Sequence, residues 1–240
     1  MSKRMFSFIT KTWNPLSGEC LHRCSYCWVT QLKKIYPNIN RKYHGSANID
    51  LKELRKGYKF TSDDTVFVCS CNDLFGGWVS YQHIIDVLTV IGESKATFLL
   101  LTKNPKRYIK FFKNTPDYED VLGSCILGAT IETDLDHLNI EPPSNDLQLL
   151  PIMRLIAMSK LRAYYPKQKL MLSIEPIMRF SPCFAKHIIS VKPDFVAVGY
   201  NNNPSVKLDE PSLKDTLQLI ADLEAAGIKV YRKTLREAQV

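Results

Sequence analysis

Short apolar runs alternate with longer amphipathic stretches along the whole chain. Runs rich in β-branched and aromatic residues at 5–10, 65–70, 97–102, 125–131, 170–174, 195–199 and 228–231 predict strands. Between them the apolar positions recur at helical spacing. Residues 81–91 carry Ile84, Ile85, Val87, Leu88 and Ile91, and 149–164 carry Ile152, Met153, Ile156, Ala157 and Leu161. The stretch 213–226 does the same with Leu217, Ile220, Ala221 and Leu223 before Gly227, a residue type that stops helices. Shorter helices are predicted over 28–36, 105–113 and 182–191. Pro105 and Pro182 lie near their starts, where a missing amide costs little.

Strand followed by helix over the full length predicts an α/β fold with a parallel sheet and right-handed crossovers. No repeat or low-complexity linker divides the chain, so it reads as one domain over 1–240, with residues 38–64 a basic insertion between the first helix and the second strand. Six or seven strands fit either an open doubly wound sheet or a partial barrel. Each predicted strand runs into polar residues: Trp13-Asn14-Pro15, Cys71-Asn72-Asp73, Lys103-Asn104, Glu132-Thr133-Asp134, Glu175-Pro176, Asn201-Asn202 and Arg232-Lys233. Strand C-termini are where α/β proteins place ligands.

The chain has 240 residues, 45% of them hydrophobic and 23% charged, which excludes disorder as its main state. No stretch of about 18 uncharged apolar residues exists to span a bilayer. The apolar run 5–9 is too short for a secretory signal core, so a cytoplasmic location is expected. The net charge of +8 is concentrated at one end. Residues 1–60 hold 12 Lys/Arg against Glu19, Asp50 and Glu53, whereas the remaining 180 residues hold 20 basic and 21 acidic side chains. Tyrosines and Phe60 interleave with that basic quarter, and a second block without acids runs over 95–113. Such surfaces suit a phosphate backbone, or are simply solvated.

Seven cysteines without a secretion signal point to metal or redox chemistry rather than a disulfide framework. Cys20, Cys24 and Cys27 are spaced C-x3-C-x2-C on one short polar segment. Three thiolates can bind three irons of a four-iron four-sulfur cluster and leave the fourth iron open to a small chelator. The alternative is structural zinc, which needs a fourth ligand from His22, His44 or Cys71.

This motif, with Tyr26 before its last cysteine and its place after the first predicted strand, resembles the radical S-adenosylmethionine (radical SAM) superfamily. A narrower similarity is to a phage- and prokaryote-associated family of radical-SAM-like proteins. It rests on Thr12-Trp13-Asn14-Pro15, Asp73-Leu74-Phe75-Gly76, Leu100-Leu101-Thr102-Lys103 and Ser173-Ile174-Glu175-Pro176, and runs from about Thr12 to Lys233. The resemblance implies a partial (β/α) barrel of about six to seven parallel strands. It also implies that the cluster, reduced by an electron donor, cleaves SAM to a 5′-deoxyadenosyl radical that abstracts hydrogen from a substrate. Nucleic acid or a nucleotide is the favoured substrate.

The resemblance assigns Cys20, Cys24 and Cys27 to the cluster. Where many members have a Gly-Gly-Glu-like segment for the SAM amino group, this chain has Cys71-Asn72-Asp73, so that contact passes to Asn72 or Asp73. Glu132 and Glu175 would take ribose hydroxyls or the amino group, or else form ion pairs with Lys103, Arg179 or Lys233. Lys103 would meet the SAM carboxylate or a phosphate, or begin a solvated basic helix. Tyr26 would pack near the adenine. Cys69 and Cys71, two apart on a strand, share a face, which makes Cys71 a candidate hydrogen-atom donor or a packing residue. Trp13 and Trp28 are expected to shield the cluster, and Cys125 and Cys183 to pack. Two further readings stay open. One is a zinc-stabilised nucleic-acid-binding module without catalysis; the other is an iron–sulfur electron carrier or degenerate partner protein.

Overall fold

A computed structural model describes residues 6–135, 150–203 and 205–239. Its main sheet contains β1 (Lys11–Trp13), β4 (Thr65–Val68), β5 (Thr97–Thr102), β6 (Cys125–Thr130), β7 (Lys169–Ile174), β8 (Phe195–Val198) and β9 (Lys229–Arg232). All neighbouring pairs are parallel and spatial order follows chain order. Because the order never reverses, right-handed crossovers put every helix on one face, and the sheet curls into a half-barrel of seven strands. The doubly wound alternative is thereby excluded.

The helices that pack on the convex face are α4 (Tyr81–Glu93), α5 (Lys106–Asn114), α6 (Pro151–Tyr164), α7 (Phe184–Val191) and α8 (Leu213–Ala225). Ser80 caps α4 by accepting from His83 N at 3.1 Å, and Ser212 caps α8 by accepting from Asp215 N at 3.0 Å. Gly227, at φ +79°, ends α8 as its position suggested. Alternate strand residues divide between two apolar clusters. Val66, Val68, Phe98, Leu100, Leu127, Leu172 and Val196 join the helices, while Phe67, Leu99, Ile126, Met171, Phe195 and Ala197 face the concave side.

That concave side explains a correction. Residues 6–10 form no strand; residue 5 lies outside the described residues. Phe6 and Ile9 instead lie buried in the concave cluster, with Phe8 against Phe195 and Tyr231 at ring distances of 5.1 and 4.9 Å. An open half-barrel leaves apolar strand residues uncovered, and this segment plugs them. Burying Phe6 and Ile9 contributes about 1.5–3 kcal/mol each. The sixth helix begins at Pro151, two residues later than predicted, and residue 149 also lies outside the described residues.

Residues 38–64 fold against the cysteine segment. After β1 come β2 (Leu16–Ser17), the cysteine loop, α1 (Trp28–Ile35), α2 (Pro37–Lys42), β3 (Asn48–Ile49), α3 (Leu51–Leu54) and a 3-10 turn (Arg55–Lys59). β2 and β3 pair antiparallel, and Trp13 Nε1 donates to Glu53 O at 2.8 Å. Trp13 is fully buried in the helix-side core, while Trp28 is exposed. The ring beside that loop is Trp78, packed edge-on to His22 at 4.8 Å. Among the described residues no helix is long and apolar enough to cross a membrane.

Candidate active site

The cysteine loop leaves the C-terminal end of β1 and crosses the ends of the next three strands. Gly18 opens it at φ +88°. A Cβ there would lie 2.4 Å from Ser46 O, so only glycine fits between loop and insertion. Gly18 N donates to Lys42 O and Glu19 N to Gly45 O. Cys20, Cys24 and Cys27 are free and half-buried. Burial pushes the Cys20 thiol up, and the Asp73 carboxylate, Cys24 and Cys27 add to that, while the His22 N–H opposes it. All three lie within eight residues of one another on the loop.

Beyond β4 the backbone turns sharply. Cys69 has φ +55°, and Asn72 N donates to Cys69 O at 3.0 Å. The strand ends at Val68, so the alternation that placed Cys69 and Cys71 on one face does not apply. Cys69 is buried in the helix-side core. Cys71 lies by the cysteine loop: burial pushes its thiol up, a Tyr43 hydroxyl and Ser70 bond it, and Cys27 is close enough to oppose its ionisation. Asn72 Nδ2 donates to Gly18 O at 2.9 Å. Asp73 Oδ2 accepts from Thr102 Oγ1 at 2.8 Å and Lys103 N at 2.9 Å, and pairs with His22 Nε2 at 2.7 Å; Oδ1 accepts from Phe75 N at 2.9 Å. Asn72 and Asp73 thus act as ties on the loop. Burial would raise the Asp73 carboxyl, but His22, Lys103 N–H and Thr102 outweigh it and hold it below the usual range.

The second anchor is Tyr26. Its hydroxyl donates to Glu132 Oε1 and accepts from Lys103 Nζ, which also pairs with Glu132. Lys103 Nζ stands 4.8 Å from the Tyr26 ring centroid. Arg154 Nη1 donates to Glu132 Oε2 at 2.7 Å and to Thr130 O at 2.9 Å. Glu132 is wholly buried. Burial would raise its carboxyl, yet Lys103 and Arg154 hold it far below the ordinary range. Desolvation likewise works against the Lys103 ammonium, but Cys24 and Glu132 reverse it and its pKa rises. Glu132 thus sits between two cations, Lys103 and Arg154. Of the alternatives at Glu132, the ion pair with Lys103 is present; Arg154 was not anticipated. Arg154 lies on the buried face of its helix with Pro151, Leu155, Met158 and Leu161, whereas Met153 and Ile156, expected on the apolar stripe, are exposed.

Across the concave mouth, Glu175 pairs with Lys233 Nζ at 2.8 Å and accepts from Ser173 Oγ at 3.4 Å. Burial raises the Glu175 carboxyl, and Lys233 only partly offsets this. Arg179 pairs instead with Asp209. A Cβ at Gly199 would meet Glu175 Oε1 at 2.9 Å, so glycine makes room for the pair. Lys233 also covers the Phe6 ring at 4.5 Å, linking plug to rim. Cys125 packs in the core as expected, but Cys183 is exposed. The second basic block is divided, with Lys95, Lys106, Lys110 and Lys113 exposed. Lys103 is buried, Arg107 donates to Gly76 O and Val79 O, and Lys113 covers the Tyr164 ring at 3.7 Å.

The cysteines fit a cluster that takes one thiolate per iron. They are three sulfur donors on one loop; a structural zinc would need a fourth ligand, and Cys71 stands by that loop. Among the described residues no three His, Cys, Asp or Glu side chains converge tightly enough for a single metal ion. No curated protein matches the chain. A family model described as "Protein of unknown function (DUF5131)" matches residues 3–145, more than half of the chain. On that match the chain belongs to the DUF5131 family.

Proposed function

We propose that this chain is a radical SAM enzyme. Cys20, Cys24 and Cys27 would hold a four-iron four-sulfur cluster, and the charged rim would hold S-adenosylmethionine. The observation that carries the reading is the placement of the loop. Three thiols stand at the polar mouth of a half-barrel, fastened to successive strand ends through Asn72, Asp73, Lys103 and Glu132. When bound and supplied with an electron, cluster and SAM together provide hydrogen-atom abstraction from a substrate.

The chain's own residues have three tasks in this reading. His22, Tyr26 and Gly18 fix the thiols by bonds to other elements, so the donor set is positioned before anything binds. Lys103, held at the rim by Tyr26 and Glu132, suits a carboxylate near the loop, while Glu175 and Ser173 offer acceptors for an amino group or hydroxyls across the mouth. The concave interior below is filled by Phe6, Phe67, Leu99, Ile126 and Met171, which keeps water from the reacting end.

Anaerobic reconstitution with iron and sulfide, followed by reduction with SAM present, tests the reading. The expected result is four irons and four sulfides per chain, in keeping with the cluster proposed, together with release of 5′-deoxyadenosine. Stoichiometric zinc without sulfide, or a loaded cluster that never cleaves SAM, overturns it.

A further inference from the structure

Residues 28–60 hold eight Lys/Arg and only two acids. Both acids are occupied within the insertion. Asp50 accepts from Lys42 Nζ at 3.0 Å and caps α3 through Glu53 N at 3.1 Å, and Glu53 pairs with Lys56. Among the described residues Lys33, Lys34, Arg41, Lys52, Arg55 and Lys59 form no ion pair. Mutual repulsion makes such a surface costly unless a polyanion offsets it.

Large apolar side chains stay exposed on the same segment. Trp28, Tyr36 and Tyr58 are 41%, 53% and 49% accessible, and Ile35 and Leu51 are exposed as well. Unstacked bases have faces to place on such rings; paired bases inside a duplex do not. A concavity of about 520 Å³ is lined by Ser17, Arg41, Lys42, His44 and Asn48, together with Asp50, which pairs with Lys42. Ser17 is three residues from Cys20, so the basic surface leads toward the cysteine loop.

We propose that this exposed segment binds single-stranded nucleic acid, with phosphates on Lys34, Arg41 and Lys52 and bases stacked on Tyr36 and Tyr58. Binding stands on the surface alone. That the strand is also the substrate rests on the radical SAM reading.

The test uses the full chain without iron or SAM, so its failure is separate from failure of the enzymatic reading. Fluorescence anisotropy compares a labelled single strand of about 20 nucleotides with the matching duplex. The single strand should bind more tightly, and log affinity should fall with log salt by about 0.7 per phosphate neutralised. The triple variant Lys34→Glu/Arg41→Glu/Lys52→Glu should weaken binding at least about tenfold and flatten that slope. Tyr36→Ala/Tyr58→Ala should weaken it by about 5-fold or more and leave the slope unchanged. A control triple, Lys160→Glu/Lys186→Glu/Lys214→Glu, should change little, and circular dichroism should report a common fold. The proposal is overturned if neither nucleic acid binds at low salt, or if the control triple costs as much. It is overturned equally if the duplex binds as well as the strand with the tyrosine variants unaffected, or if polyglutamate competes as strongly as the oligonucleotide.

Discussion

His22 Nε2 lies 2.7 Å from Asp73 Oδ2, and both side chains are buried. Fifty-one positions apart in the chain, they join the middle of the cysteine loop to the end of β4. The same carboxylate accepts from Thr102 Oγ1 and Lys103 N, so one Asp73 fixes the loop against two strands. An ionised carboxylate only accepts, so the ring nitrogen donates.

Replacing Asp73 by Ala leaves four donors without their acceptor. Unpaired buried polar groups cost about 1–3 kcal/mol each, so Asp73→Ala should lower stability by at least about 2 kcal/mol. A lower urea midpoint would register this. Iron uptake on reconstitution should fall with it, since the thiols lose their common frame.

Glu132 keeps two buried cations apart. Glu132→Gln removes the carboxylate with which both Lys103 and Arg154 pair and should destabilise by about 3–5 kcal/mol. Adding Lys103→Met removes one of those cations and should restore part of the loss. A double-mutant cycle on urea unfolding would detect that non-additivity.

Gly18 tests the seam between loop and insertion. In Gly18→Ala the new methyl would sit 2.4 Å from Ser46 O at a backbone φ of +88°. Strain of that kind costs about 1–3 kcal/mol. The melting temperature should drop, whereas Gly77→Ala, where a Cβ meets nothing within 4 Å, should leave it nearly unchanged.

Glu175 predicts a pH dependence. Its carboxyl is raised by burial beyond what Lys233 offsets, so between the ordinary carboxylate value and the raised one the folded chain binds more protons than the unfolded one. Stability from this group is therefore lost as pH rises through that window. Thermal melts over the acidic range should show a wild-type slope that Glu175→Gln lacks.

The cysteines divide by position. Cys20→Ser, Cys24→Ser and Cys27→Ser should each lose the cluster on reconstitution, while Cys125→Ser and Cys183→Ser should keep it. Visible absorbance and iron content distinguish the two groups.

Several of these features were legible in the chain itself. Periodicity placed the strands from 65 onward to within a few residues, because their alternation of polar turn and apolar run is a local property. The C-x3-C-x2-C spacing and the basic first quarter were equally local. Tertiary structure alone decided the rest. Whether seven strands wind one way or two depends on crossovers between distant segments, and the unreversed order excluded the doubly wound sheet. Phe6, Phe8 and Ile9 look like a strand until an uncovered concave face claims them as a plug. Cys71 parted from Cys69 because a single left-handed residue ended β4. His22, Arg154 and Lys233 gained their partners across separations of 51, 22 and 58 positions. No local pattern encodes such pairings. They arise only where burial makes an unpartnered charge too costly to leave alone.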